Sequence, residues 1–329
     1  MIFVTGGSGF IGSYILQELI LQGKPVRAMR RKRSFPFYLP QDISEKISWV
    51  DGDILDVGGL KENLEGCDQI IHAAGLVSFV PSDKKKLFKI NIEGTANMVN
   101  AAIEAGITDF VHVSSVGALG WGDGPELINE EKKWPGNTGQ SNYSISKYYG
   151  EMEVWRGMGE GLRTLIVNPV ILLGYGDWNE SSSGLFKTAY QEFPWYMSGV
   201  NGFVDVQDTA LAIVALMDSG IRNERFIISA ENRGYREIFN WMADGFGKKP
   251  PSKKAGPLLS GLAWRMEKIK SAFKGHKPLI THESVIIAAR HNAYDNHKLL
   301  NALPSFRFRP LENSIPASCR LYLKNLQPL

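Results

Sequence analysis

Thr5-Gly6-Gly7-Ser8-Gly9-Phe10-Ile11-Gly12 is the stretch whose reading decides the fold. Ahead of it, Met1-Ile2-Phe3-Val4 is an apolar run with room for a buried strand and nothing longer. Behind it, Ile11, Ile15, Leu16, Leu19 and Ile20 recur at helical spacing until Gly23 stops the pattern. A glycine-rich turn alone is an ordinary tight connection, but between a strand and a helix it acquires chemical meaning. Glycines there permit positive φ and let the backbone approach a pyrophosphate closely. The helix N-terminus adds unpaired N–H groups and a partial positive charge. A dinucleotide site is therefore expected at Gly6, Gly9, Phe10, Ile11 and Gly12.

Working outward, a second strand, Pro25-Val26-Arg27-Ala28-Met29, runs into Arg30-Arg31-Lys32-Arg33. In a dinucleotide fold the end of this strand meets the adenosine ribose, where an NAD site places a carboxylate. Here Arg30 and Arg31 stand in that position. A guanidinium fork pairs with a 2′-phosphate that a carboxylate would repel, so NADP(H) is favoured, with NAD(H) possible. The other reading of the run is a solvated basic turn. A third strand leads through Trp49-Val50-Asp51-Gly52 to Asp53, placed to reach adenine or to cap a helix beginning near Val57. Asp68 to Gly75 is a fourth apolar strand, ending in the small residues Ala73, Ala74 and Gly75. Small side chains at a strand's carboxyl end leave space for a ligand in an open α/β sheet. His72, among apolar neighbours, reads as a packed core histidine.

A helix over 85–105 carries Asn91 in its interior, an unfavourable choice for propensity alone. The fifth strand, Phe110 to Val113, ends in Ser114-Ser115, and 120–140 reads as a surface loop over the site. Tyr143 and Lys147 are four apart in the next helix, so they share a face. A sixth strand closes at Asn168-Pro169, and Val204 and Phe226 mark further strands. The alternation predicts an α/β doubly wound parallel sheet, with a smaller, mainly helical C-terminal part. The expected division is a dinucleotide-binding domain over 1–174, rejoined by 203–230, and a substrate domain over 175–202 and 231–329. Trp121, Trp178, Trp195 and Tyr196 either line an aromatic substrate pocket or pack its lid.

Bulk properties narrow the function classes. The 329 residues are 43% hydrophobic and 22% charged with net charge +3, which suits an ordinary globular protein and gives no electrostatic case for nucleic acid. Two cysteines, Cys67 and Cys319, make no disulfide framework. No apolar run has membrane-spanning length, the first strand leaves no room for a targeting segment, and the cytoplasm is the expected compartment. His282, His291 and His297 lack metal-ligand spacing, so no metal is expected. From Lys248 to Lys277 nine Lys or Arg stand against one acid, Glu267. Such a helix can lie on an anionic membrane, and more often packs its apolar stripe on its own domain.

Thr5 to Gly12, Asp53, Asn91, Ser115, Tyr143 to Lys147 and Asn168-Pro169 together resemble the extended short-chain dehydrogenase/reductase family, over roughly residues 1 to 240. The run 26–31, the Ser-Ser-Val-Gly-Ala-Leu-Gly segment at 114–120 and Phe203-Val204-Asp205-Val206 look most like its dihydroflavonol reductase-like and sugar-epimerase-like bacterial members. The resemblance implies a catalytic set of Ser115, Tyr143 and Lys147, with Ser115 rather than Ser114 facing the site. It further implies that Ile54, Val113 and Val170 join Asp53, Ala73, Ala74, Gly75, Asn91, Asn168 and Pro169 along the cofactor. Lys147 would also bind the nicotinamide ribose. A nearby ammonium favours the phenolate, so Tyr143 is expected to titrate below the ~10 of a free tyrosine and to pass a proton to or from a small-molecule substrate.

Three functions are thus in play. The first is an NADP-preferring reductase or dehydrogenase of carbonyls and secondary alcohols. The second is a nucleotide-sugar epimerase or dehydratase with bound NAD, and the third a catalytically idle dinucleotide sensor or assembly subunit. The complete serine, tyrosine and lysine set argues against idleness. Family members pair through helices corresponding to 85–105 and 143–160, so a homodimer is expected.

Overall fold

A computed structural model describes residues 1–31, 36, 38–121, 126–256 and 281–326. Seven strands form its main sheet: β1 (Ile2–Thr5), β2 (Val26–Arg30), β3 (Ser48–Asp51), β4 (Gln69–His72), β5 (Asp109–Val113), β7 (Arg163–Pro169) and β11 (Glu224–Ile228). They lie in the order β11-β7-β5-β4-β1-β2-β3, every pair parallel. The chain winds outward from β1 through β2 and β3, then restarts at β4 on β1's other side. This reversal opens a crevice at the carboxyl ends of β1 and β4, where Thr5 pairs in register with His72. All four residues of β1 and all five of β5 are buried. Covered on both faces, β1 reads as a near-continuous apolar run rather than an alternating one, while β5 buries Asp109 and His112 beside Phe110, Val111 and Val113.

One face of the sheet packs on the helices Phe10–Leu21 and Val206–Asp218 through Ile15, Leu16, Leu19, Ile213 and Leu216. The other packs on the helices Val57–Leu64, Gly94–Glu104 and Asn142–Gly159 through Leu60, Leu64, Met98, Val99 and Val154. A third core, built on Phe186, Phe203, Ile238, Met242, Phe246, Ile315 and Tyr322, belongs to a second lobe.

Several local expectations change. The segment 203–230 divides: β10 (Val200–Asp205) sits in a three-stranded sheet with β8 (Ile171–Leu173) and β12 (Glu231–Gly234), while the following helix and β11 return to the main sheet. The expected loop over 120–140 contains β6 (Glu126–Ile128), which pairs with Asn292–Tyr294. The helix near Val57 is capped by Asp56, which accepts from the Gly59 N–H at 3.3 Å, not by Asp53. Asp53 instead turns its carboxylate to the Leu55 N–H at 3.0 Å. A strand also forms within the mainly helical part, where β9 (Trp195–Tyr196) pairs with Lys253–Lys254.

Trp178 stacks on Tyr322 at 5.5 Å inside the second lobe, so it packs that core. Trp195 and Tyr196 lie under the cations of Lys253 and Arg236, at 5.4 and 5.0 Å. Of the basic segment, residues 257–280 lie outside the described residues, as do Lys32 and Arg33. Cys67 and Cys319 are buried free thiols. Among the described residues no helix is long and apolar enough to cross a membrane.

Candidate active site

The glycine turn closes on itself at the carboxyl end of β1. Gly6 has φ +71°, and a Cβ there would lie 2.5 Å from the Ala74 nitrogen. A Cβ on Gly12 would lie 2.0 Å from the Gly6 carbonyl oxygen. Both positions therefore require glycine. The helix Phe10–Leu21 begins with no side-chain cap and no acid in its first turn, which leaves its N–H groups and positive end directed at the crevice. Thr5 Oγ1 accepts from the Ala74 N–H at 3.2 Å and lies 2.7 Å from His72 Nδ1, fixing the start of the Ala73-Ala74-Gly75 exit.

Asn91 stands in a π-helical turn, Lys89–Glu93, between the α-helices Lys84–Phe88 and Gly94–Glu104. Its side chain accounts for the interruption. The Leu76 N–H donates to Asn91 Oδ1 at 2.7 Å, and Asn91 Nδ2 donates to the Leu76 carbonyl and Ser146 Oγ, each at 2.9 Å. One buried amide thus clasps the chain leaving β4 to the helix Asn142–Gly159, and the extra residue of the π turn aims it there.

That last helix, capped by Ser141 through the Ser144 N–H, presents Tyr143 and Lys147 towards the end of β5. Ser115 caps the short 3₁₀ turn Val116–Leu119 by accepting from the Gly117 N–H at 3.1 Å. Gly117 lies between Ser115 and Tyr143, its would-be Cβ 3.4 Å from both Ser115 Oγ and a Tyr143 ring carbon. Ser114 turns the opposite way and donates to Glu151 at 2.8 Å. Lys147 Nζ donates to the Val113 carbonyl at 3.1 Å and sits 3.3 Å from where a Cβ of Gly75 would be. Ser115, Tyr143, Lys147, Asn91, Val113 and the 73–75 exit therefore converge on the crevice. Asn168, fully buried at the end of β7, joins them by donating to the Ser115 carbonyl at 2.9 Å. Pro169 and Val170 follow, both buried.

Burial dominates the site's electrostatics. It pushes the Lys147 ammonium down to about 8, with Glu151 acting the other way. It drives His72 down to about 3 and His112 well below the usual histidine range, the charge on Lys147 reinforcing both. Tyr143 departs from expectation. Burial raises its phenol, and the Ser115 hydroxyl beside it offsets this only in part. A buried phenolate loses more hydration than the neighbouring groups restore, so the free protein holds Tyr143 protonated.

The adenosine end is laid out differently. Arg30 ends β2 opposite Asp51, its Nε 3.2 Å from Asp51 Oδ1 and its guanidinium 5.4 Å from the Trp49 ring centre. Arg31 is exposed just beyond it. Asp53 is exposed, while Ile54 is buried against Gly94. The residues fit a dinucleotide: an uncapped helix N-terminus, two obligatory glycines, and a buried Asn168 Oδ1 with no hydrogen-bond partner of its own. Among the described residues no group of three or more His, Cys, Asp or Glu is placed to hold a metal.

Sequence reasoning gave no role of their own to Glu151, Arg225, Ser146 and Thr5. Glu151 carried a signal: an acid one turn after Lys147, on the same buried helical face.

Residues 2–229 match the sequence model of the NAD dependent epimerase/dehydratase family. The "Putative dihydroflavonol 4-reductase" of Synechocystis sp. is 32% identical over 310 residues, covering 92% of this chain and 88% of that one. Sterol demethylase protein B of Methylococcus capsulatus is 29% identical, covering 82% of each. Among solved structures, the UDP-glucose 4-epimerase of Thermotoga maritima superposes with a TM-score of 0.79, covering 99% of each chain at 19% identity.

Proposed function

The chain belongs to the NAD dependent epimerase/dehydratase family, and we propose that it is a reductase or dehydrogenase that prefers NADP(H) and acts on a carbonyl or secondary alcohol. One observation carries the reading. Ser115 Oγ and the Tyr143 ring flank Gly117, each 3.4 Å from where its Cβ would be, while Lys147 stands one helical turn from Tyr143 at the same strand end. In the reducing direction the Ser115 hydroxyl holds the substrate oxygen, and Tyr143 Oη gives it a proton. The Lys147 ammonium, charged at pH 7, stabilises the phenolate left behind, which solvent then reprotonates. The cofactor, when bound, supplies the hydride that reaches the carbonyl carbon.

An aromatic side chain flanks Tyr143, the Phe79 ring lying edge-on to it at 5.5 Å. A carbonyl on an aromatic or alicyclic skeleton is therefore the first substrate class to try, in keeping with the names of the two sequence relatives. For the cofactor, Arg30 is already engaged by Asp51, so the exposed Arg31 is the better candidate for the 2′-phosphate. A charge-assisted fork contributes about 1.5 to 3 kcal/mol, lessened by solvent at an exposed edge, or roughly tenfold in preference.

The test is a panel of aryl and alicyclic ketones, aldehydes and nucleotide sugars incubated with NADPH and with NADH, following cofactor absorbance. Net oxidation of NADPH with a ketone, faster than of NADH, is expected. Turnover of nucleotide sugars without net cofactor change would overturn the reading.

A further inference from the structure

Glu151 is 1% exposed, yet its carboxylate gathers donors from four directions. Ser114 Oγ and Asn168 Nδ2 donate to Oε2 at 2.8 and 2.9 Å. Arg225 Nη1 and Trp155 Nε1 donate to Oε1 at 2.8 and 3.3 Å. Arg225, on β11, is held in turn by the Glu130 carbonyl, and the Glu130 carboxylate accepts from the Ile227 N–H at 2.8 Å. Ser114 precedes the substrate-facing serine, and Asn168 also grips the Ser115 carbonyl. A buried charge is costly unless fully paired, so four donors on one carboxylate fix its position tightly.

We infer that Glu151 is a positioning residue of this site, its carboxylate tying the strand ends that carry Ser115 and Asn168 to the helix that carries Tyr143 and Lys147. The inference rests on the reading proposed above. Its second consequence is electrostatic. One turn from Lys147, the Glu151 charge favours the ammonium against the burial that opposes it. The other titratable groups around Lys147 are Tyr143 on its own helix and His72 and His112 on β4 and β5, both held neutral. Arg225 reaches it from β11 through Glu151. On the packed 84–104 helices, Lys84, Lys85, Lys86, Lys89, Glu93 and Glu104 are exposed on the outer side.

The test compares wild type with Glu151→Gln, measuring NADPH affinity by protein fluorescence and kcat/KM for the best panel substrate, both across pH. Circular dichroism checks the fold. Glu151→Gln should move the alkaline loss of both quantities down by about one pH unit, and lower kcat several-fold at the optimum. A uniform loss with no movement along pH would overturn the inference, as would an unchanged profile. If Glu151→Gln does not fold, Arg225→Gln gives the opposite sign. It leaves the carboxylate less compensated and should move the limb up, and an unmoved limb again overturns the inference. A wild type that binds NADPH and reduces ketones beside a variant without the shift would sink this inference alone. A wild type that does neither would sink the functional reading with it.

Discussion

At Tyr143 two effects oppose each other, and burial wins over the influence of the Ser115 hydroxyl. A phenol kept protonated suits a proton donor in reduction. Tyr143→Phe should therefore lower turnover about 10²- to 10⁴-fold while NADPH affinity changes little; activity within a few-fold of wild type would remove Tyr143 from the role. His72 and His112 stack at 5.4 Å with both rings buried and neutral. Their folded pKa values lie below the ~6.5 of the unfolded chain. Below that pH the unfolded state binds protons the folded state refuses, so stability is full above about 6.5 and falls towards about 3, where His72 titrates. The slope reaches about 1.4 kcal/mol per pH unit for each histidine. Urea melts between pH 7 and 5 should show it, and His112→Phe, which keeps a ring in place, should flatten it. The residues that carry the proposed chemistry were legible because they recur as types at fixed spacings: Ser115, Tyr143, Lys147 and Asn168. Glu151 was not, since its four partners come from its own helix and three separate strand ends or strands. The engagement of Arg30 was hidden for a related reason. Its pairing with Asp51 depends on the register between β2 and β3, which neither strand states alone.

Among the elements, the helical region after β4 shows sequence and fold in local conflict. An asparagine inside a helix is unfavourable, and the π turn at Lys89–Glu93 is the form that conflict takes. Asn91 is retained there because its amide fills the hydrogen-bonding groups of Leu76. Asn91→Ala would leave those backbone groups without partners in a part-buried place, costing about 1 to 3 kcal/mol. Urea denaturation measures that loss, and the same variant should weaken NADPH binding as the 73–75 exit loosens. A loss below about 0.5 kcal/mol would mean that water replaces the amide there. The caps show how far local signals reach. Asp53 and Asp56 are the same residue type three apart, and only the backbone path selects Asp56 as the cap. The strand β6 escaped notice because it is three residues long and pairs with Asn292–Tyr294, far along the chain.

For the molecule as a whole, the parallel sheet followed from the alternation of apolar runs and helical periodicity, whereas the small sheet of the second lobe did not. That sheet is assembled from short strands separated in sequence, β8, β10 and β12. The helices Gly94–Glu104 and Asn142–Gly159 pack together and leave Ala96, Met152 and Trp155 half-buried. We expect these faces to pair across a two-fold axis. Light scattering at micromolar concentration should report a dimer, and Met152→Lys should shift it towards monomer; a wild-type monomer would refute the pairing. The account as a whole stands on hydride moving directly between the nicotinamide ring and a substrate carbon, with Tyr143 supplying the proton. The most direct measurement uses NADPH carrying deuterium at its hydride position and a ketone from the panel, with the alcohol product read by mass spectrometry. The account predicts one deuterium on the carbinol carbon, from one face of the ring only, and about 10²-fold or slower labelling with Tyr143→Phe. An alcohol without deuterium, or a substrate altered while the NADPH stays unconsumed, would contradict it.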